Sequence, residues 1–390
     1  MSNLIIKSDF GFIGEDLELK AEISITINEK GRIKDIDCKD IGDSNNIKYN
    51  ENSSLIIPGL INSHIHIGDS FARELGYNKH LIDVVAPPNG LKHKLLNTVD
   101  RNLMIKGIKT AISEMLSYGI TFFIDYRENG LDGIKILQEA LKDTSIRRMI
   151  LGRPNYDKEL ETIYKEADGV GFASYNHVSN KIREKLKLIK KTIPGKIISC
   201  HDGELERNEE LFDKLVNDRL INVIIHGTHY NEQDLEVIKQ KAISLVLCPK
   251  SNGYFGLGFP PISQIIRLRI PISIGTDNVM VNNLDLFEEL RYLYRIYRVL
   301  DKDKKNPLLP SRELLKMITI NAARNFKIEE DHGSISKGKF ADFFKVNLAA
   351  TNFYSIFTNT AHFCDLLVQR LKSNNISKVY IGGKTVYERD

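Results

Sequence analysis

The stretch LIIPGLINSHIHIGDS, residues 55–70, holds an apolar run that ends in two histidines one residue apart. Side chains alternate faces along a strand, so His64 and His66 project from the same side. Two imidazoles side by side suit a shared metal ion. A zinc-type site takes three or four protein ligands, so the rest must come from downstream.

Outward from that stretch, short β-rich runs recur at 55–66, 120–126, 147–153, 169–174, 196–202, 222–228, 243–249 and 271–277. Amphipathic stretches separate them, as in SNKIREKLKLIKKTI (179–193), with apolar residues spaced three and four apart. Strand then helix, repeated, implies parallel βα units. Eight units predict an α/β fold, a (β/α)8 TIM barrel over 55–334; a doubly wound sheet is the alternative. Residues 1–54 and 335–390 read instead as short strands with Gly and Asn turns, and together predict one small composite β domain.

Composition narrows the function classes. The 390 residues are 42% apolar, near the globular norm. Fifty-five Lys and Arg against 51 Asp and Glu leave a net charge of +4 with no sustained basic block, which argues against nucleic acid as a partner. The four cysteines, Cys38, Cys200, Cys248 and Cys364, form no CxxC pair and point to a reducing compartment. No apolar leader follows the N-terminus, and no run approaches the ~20 apolar residues of a membrane helix. The expectation is a soluble, cytoplasmic protein with a small-molecule partner and no membrane partner; a homo-oligomer stays open. The stretch 282–300 reads as a helix packed on the barrel.

Barrel chemistry sits at the C-terminal ends of the strands. There the pattern places His64 and His66 (strand one), His201 (five), His226 (six) and Asp277 (eight). A lone strand histidine is more often a satisfied polar residue than a ligand, but five such groups at one end point to a metal. Imidazole and carboxylate suit one divalent ion, Zn2+ first and Fe2+ second. Such an ion lowers the pKa of water from 15.7 toward about 7. Glu204, three residues past His201, could shuttle the proton; its bland reading is a first-turn helix glutamate. Cys200 and Asp202 fall off the lumen-facing parity, and Cys248 reads as packing. The other six histidines, His80, His93, His177, His229, His332 and His362, read as loop or helix residues.

The segments PGLINSHIH (58–66), HDGE (201–204), IIHGTH (224–229), CPKSN (248–252), IGTDN (274–278) and GSISKGKFADFF (333–344) occur in an order that resembles the amidohydrolase superfamily, and within it the cytosine-deaminase-like and chlorohydrolase-like branch. The resemblance implies a distorted barrel with a composite β-sandwich domain from both termini, and hydrolysis at carbon. It implies His64, His66, His201 and Asp277 as metal ligands, Glu204 as acid/base, and His226 as the group that orients or stabilises the attacked centre. Asp277 would also accept the proton of the attacking water. Other branches bridge two metals with a strand-four lysine; GVGFASYN (169–176) has none, which favours one metal. Arg73 resembles an arginine frequent in this branch, and Ser251 and Asn252 resemble its pocket-shaping loop. Nucleobase deaminases of the branch often carry a histidine just after strand four; here Ala173 stands there, with His177 four residues on.

Arg127 and Arg153 end strands two and three, on the predicted rim. Two rim arginines suggest an anionic heterocycle as substrate; salt bridges to Asp125 or Glu128 are the competing explanation. The expected activity is hydrolytic deamination of an amino-substituted heterocycle, with release of ammonia. Its rivals are hydrolysis of a cyclic amide or loss of another group, a non-catalytic barrel scaffold, and a metal-free sugar-phosphate barrel using the glycines of SNGYFGLGF (251–259).

Overall fold

The computed structural model describes residues 3–41, 47, 52–301, 309–354 and 360–389. Period-two burial shapes the first strands, β1 (Leu4–Ile13), β2 (Glu18–Ile27) and β3 (Ile33–Asp40), whose inward isoleucines Ile6, Ile23, Ile25, Ile27 and Ile33 build a local core. Next comes β4 (Ser54–Pro58), parallel to β1. Three strands from the far end of the chain complete the sheet: β14 (Phe343–Asn347), β15 (Ile376–Ile381) and β16 (Lys384–Glu388), in the order β16-β15-β14-β4-β1-β2-β3. Both termini thus build the small domain.

The 55–66 run is two strands rather than one. β4 stays in the terminal sheet, and β5 (Leu60–His66) opens the barrel. Gly59 is the joint, where any Cβ would collide with the Thr121 side chain. Seven parallel strands follow: β6 (Ile120–Arg127), β7 (Arg147–Gly152), β8 (Gly169–Phe172), β9 (Ile197–Asp202), β10 (Val223–His226), β11 (Ser244–Leu247) and β12 (Ile272–Ile274). Each pairs with its predecessor. Gly275 and Thr276 then lead into the two-residue β13 (Asp277–Asn278), which pairs with Ile65 and His66 of β5. The barrel closes on its first strand through this offset step, which is its distortion.

Alternation divides the strands into a lumen and an outer face. Ile61, Phe122, Ile124, Met149, Ile197, Val223, Ile225 and Val246 fill the lumen with Ala322, Ala323 and Phe326. Packed side chains therefore seal the barrel below the histidines. The helix Leu286–Leu300 buries Leu286, Phe287, Leu290 and Leu293 in the main core, as its apolar spacing predicts. Cys38, Cys200, Cys248 and Cys364 are free thiols. Among the described residues no helix is long and apolar enough to cross a membrane.

Candidate active site

Strand register brings the predicted groups level. His201 lies beside Ile225, His226 beside Asp202, and Asp277 beside Ile65. Two of these residues lie in the left-handed region, His226 at the end of β10 at φ 76° and Asp277 at the start of β13 at φ 63°. That conformation costs a non-glycine residue about 1–2 kcal/mol, and such strain gathers at functional sites. Gly275 lets the chain pass the first strand: a Cβ there would stand 2.5 Å from the Cβ of His64 and 2.7 Å from its backbone N and O.

The result is a buried cluster. His64 Nε2 lies 3.2 Å from Asp277 Oδ1 and 3.2 Å from His201 Nε2. His66 Nε2 is 3.5 Å from the same Asp277 oxygen. Ligand atoms of His64, His66 and His201 lie within 4.8 Å of one another, as do those of His64, His226 and Asp277. Outer partners fix the tautomers. His201 donates its Nδ1 proton to the Phe172 carbonyl at 2.9 Å, and His66 donates its own to the Tyr126 carbonyl at 3.1 Å, with Glu128 Oε1 standing 2.7 Å from the same nitrogen. Each therefore turns a bare Nε2 lone pair toward the cluster, the usual arrangement of a metal-binding histidine. His64 Nδ1 has no partner.

Electrostatics agree with a cation site. Burial pushes the His64 imidazole down to about 3 and holds His66 and His201 below the usual range, so these rings stay neutral. Burial opposes ionisation of Asp277, yet the His64 hydrogen bond and the surrounding rings keep its carboxyl well below the ordinary value. Three neutral imidazoles and one carboxylate fit a divalent ion.

Glu204 faces the same cleft with Oε1 3.5 Å from His226 Nε2, and burial raises its pKa. His226 Nδ1 meets Asn252 Oδ1 at 3.1 Å, and Asn252 in turn donates to Thr228. Ser251 donates to Asp277 Oδ2 at 2.6 Å. Ser251 and Asn252 thus hold Asp277 and His226 from behind.

The arginines separate. Arg153 lines the cleft, a cavity of about 280 Å3, and its buried Nε has no hydrogen-bond partner. Arg127 lies buried beneath Gly68, 3.2 Å from Glu128 and 3.8 Å from Asp125, the salt-bridge alternative. Arg73 points away to Glu114 at 2.6 Å. Neither Arg127 nor Arg73 lines the cleft. Ala173 and His177 both do, as do Lys92 and Asn278, which sequence reasoning passed over. The opposite wall is apolar: Leu81, Ile82, Val85, Ala86, Pro87 and Leu205.

The model of the family described as "Amidohydrolase family" matches residues 55–386. An uncharacterized protein of Methanocaldococcus jannaschii is 34% identical over 84% of this chain and 86% of its own. A 5-methylthioadenosine/S-adenosylhomocysteine deaminase of Thermoanaerobacter pseudethanolicus is 28% identical over 85% of this chain and 81% of its own. Among solved structures, an adenosine deaminase from Xanthomonas campestris with bound zinc superposes at a TM-score of 0.80. It covers 98% of this chain and 92% of its own at 19% identity.

Proposed function

The chain belongs to the amidohydrolase family, and on that premise we propose that it is a metal-dependent aminohydrolase, a hydrolase of C–N bonds that releases ammonia from an amino-substituted heterocycle. The observation that carries this reading is the pair of Nε2 lone pairs on His66 and His201, which face Asp277 Oδ1 at 3.5 Å and His64 Nε2 at 3.2 Å. His64, His66, His201 and Asp277 would hold one divalent ion, zinc in the first instance. When bound, it would act as a Lewis acid that makes water a nucleophile at neutral pH.

The chain's own residues carry the protons. Asp277 and Glu204 would take the protons of the attacking water as the new C–O bond forms. Glu204 returns a proton to the ring nitrogen, which collects the electron pair of the C=N bond. A second proton reaches the exocyclic amine, the C–N bond breaks, and ammonia leaves a carbonyl on the ring. The raised pKa of Glu204 suits a group that must both accept and release a proton. His226 keeps its Nδ1 proton on Asn252 and faces Glu204 with Nε2; carrying a second proton there, it would stabilise the oxygen that gains charge.

Relatives named as adenosine-type deaminases make a 6-aminopurine nucleoside the first substrate class to test. His177 supplies a cleft imidazole although Ala173 stands where the branch often carries histidine. Arg153, with an unpaired buried Nε, would take an anionic group where the substrate carries one, as S-adenosylhomocysteine carries a carboxylate. The four free thiols fit a reducing compartment such as the cytoplasm.

The test is ammonia release by zinc-loaded protein across adenosine, 5-methylthioadenosine, S-adenosylhomocysteine, cytosine and a cyclic amide. Ammonia in step with loss of a 6-aminopurine supports the reading. Ring opening without ammonia moves the protein to cyclic-amide hydrolysis, and no turnover of any compound by the metal-loaded protein counts against catalysis.

A further inference from the structure

Lys92 is 2% exposed, although it sits in a short helix, Leu91–Thr98, between Leu91 and His93. A lysine is almost never buried without partners, because desolvating the ammonium costs several kcal/mol. Its Nζ lies 2.5 Å from Glu128 Oε1, 2.6 Å from Asn278 Oδ1 and 3.6 Å from Asp69 Oδ2. Two of these partners lead directly to the cluster. Glu128 Oε1 is also the oxygen 2.7 Å from His66 Nδ1, and its other oxygen is held by Arg127 at 3.2 Å. Asn278 Nδ2 donates to Asp277 Oδ1 at 2.9 Å.

The amide of Asn278 shows what the lysine adds. An ammonium has only donors, so it selects the Asn278 carbonyl oxygen and leaves the NH2 group to face Asp277. Reversed, that amide would press its oxygen against the carboxylate. Lys92 therefore favours the end of Asn278 that meets Asp277, on the last strand, while holding the Glu128 oxygen that stands beside His66 Nδ1, on the first. These two strands pair at the offset β13 step, so one buried cation spans the seam where the barrel closes.

Resting on the reading that this mouth holds a divalent ion, we propose that Lys92 is a positioning residue that sets His66 through Glu128 and Asp277 through Asn278, and so holds the seam in the geometry the ion requires. Lys92 touches neither group directly; its role passes through the two side chains it binds.

The test measures zinc affinity, by competition with a chromophoric chelator, on the full chain and its variants, with the melting temperature of the metal-free protein recorded alongside. Lys92→Met keeps length and removes charge and donors; zinc binding weakens about 10–100-fold, the usual cost of losing an outer-shell partner. Asn278→Ala cuts one of the two links, and weakens it by less. A merely structural lysine would lower the melting temperature in Lys92→Met and leave zinc affinity within about twofold of the parent in both variants, which overturns the proposal. If Lys92→Met does not fold, parental affinity in Asn278→Ala overturns it alone. A parent that takes up no zinc overturns this proposal and the function above together, whereas a binding parent with unaffected variants overturns only this one.

Discussion

At the C-terminal mouth of the barrel, four imidazoles, Asp277 and Glu204 converge, and the Nε2 atoms of His66 and His201 face other groups of the same cluster, Asp277 Oδ1 at 3.5 Å and His64 Nε2 at 3.2 Å. At the opposite end, where β7 begins, another histidine meets another aspartate: His332 Nδ1 lies 3.2 Å from Asp342 Oδ2. Here the carboxylate is fully answered. Arg147 donates to both its oxygens, at 3.1 and 3.4 Å, and the Gly382 N–H adds a bond of 2.7 Å. Phe340 fills the remaining space, stacked on His332 and lying under the Arg147 guanidinium at 3.9 Å. The same residue types thus serve two ends. Where partners are complete the set is a joint between barrel and terminal sheet; where lone pairs are left over, and the backbone is strained at His226 and Asp277, the set is available for chemistry.

The sharpest way to break this contrast is to remove a ligand from the upper set. His64→Ala or Asp277→Ala should abolish zinc retention and measurable turnover together; elemental analysis beside the ammonia assay checks both. Glu204→Gln should keep the zinc and lower kcat by about 10²–10⁴, because only the proton transfer is lost. Should Glu204→Gln retain parental kcat, the shuttle is another group.

At the lower end the expected effect falls on stability instead. Asp342→Asn removes a carboxylate with three partners and should cost about 1.5–3 kcal/mol in denaturant unfolding, with kcat unchanged. Burial opposes ionisation of Asp342, but the His332 hydrogen bond and the Arg147 charge pull its pKa below the ordinary 3.8. Its contribution is therefore present above pH 3.8 and is lost as pH falls through the lower native value. The Asp342→Asn variant should accordingly match the parent in strong acid and fall behind it near neutrality. The smallest effect belongs to Arg73→Ala: its half-exposed pair with Glu114 is worth about 0–1 kcal/mol, and KM should not move.

The strand ends were legible because the apolar runs stop at these residues: period two pairs His64 with His66 and carries His201 onto the lumen face of Ile197. His64 and His226 have the opposite parity to the lumen residues Ile61 and Ile225, and reach the site through the register shift in β5 and the left-handed backbone at His226. The helix 286–300 was legible for the same kind of reason. Other features depend on distant partners. Arg73, Arg127 and Arg153 look alike in sequence, yet only Arg153 lines the cleft, since Glu114, Asp125 and Glu128 occupy the other two. Lys92, flanked by Leu91 and His93, reads as a solvated charge; its burial rests on Glu128 and Asn278, 36 and 186 residues away. His177 reads as a loop residue because its place on the cleft wall comes from the turn Tyr175–His177. The division of 55–66 into β4 and β5 carried a signal in Pro58–Gly59, the one break in an apolar run otherwise read as a single strand.

The central claim is tested most directly by the zinc stoichiometry of the purified chain after zinc loading and removal of loose metal. One ion per chain is the predicted result. No retained zinc, or an undiminished ion in a folded His64→Ala protein, would contradict it.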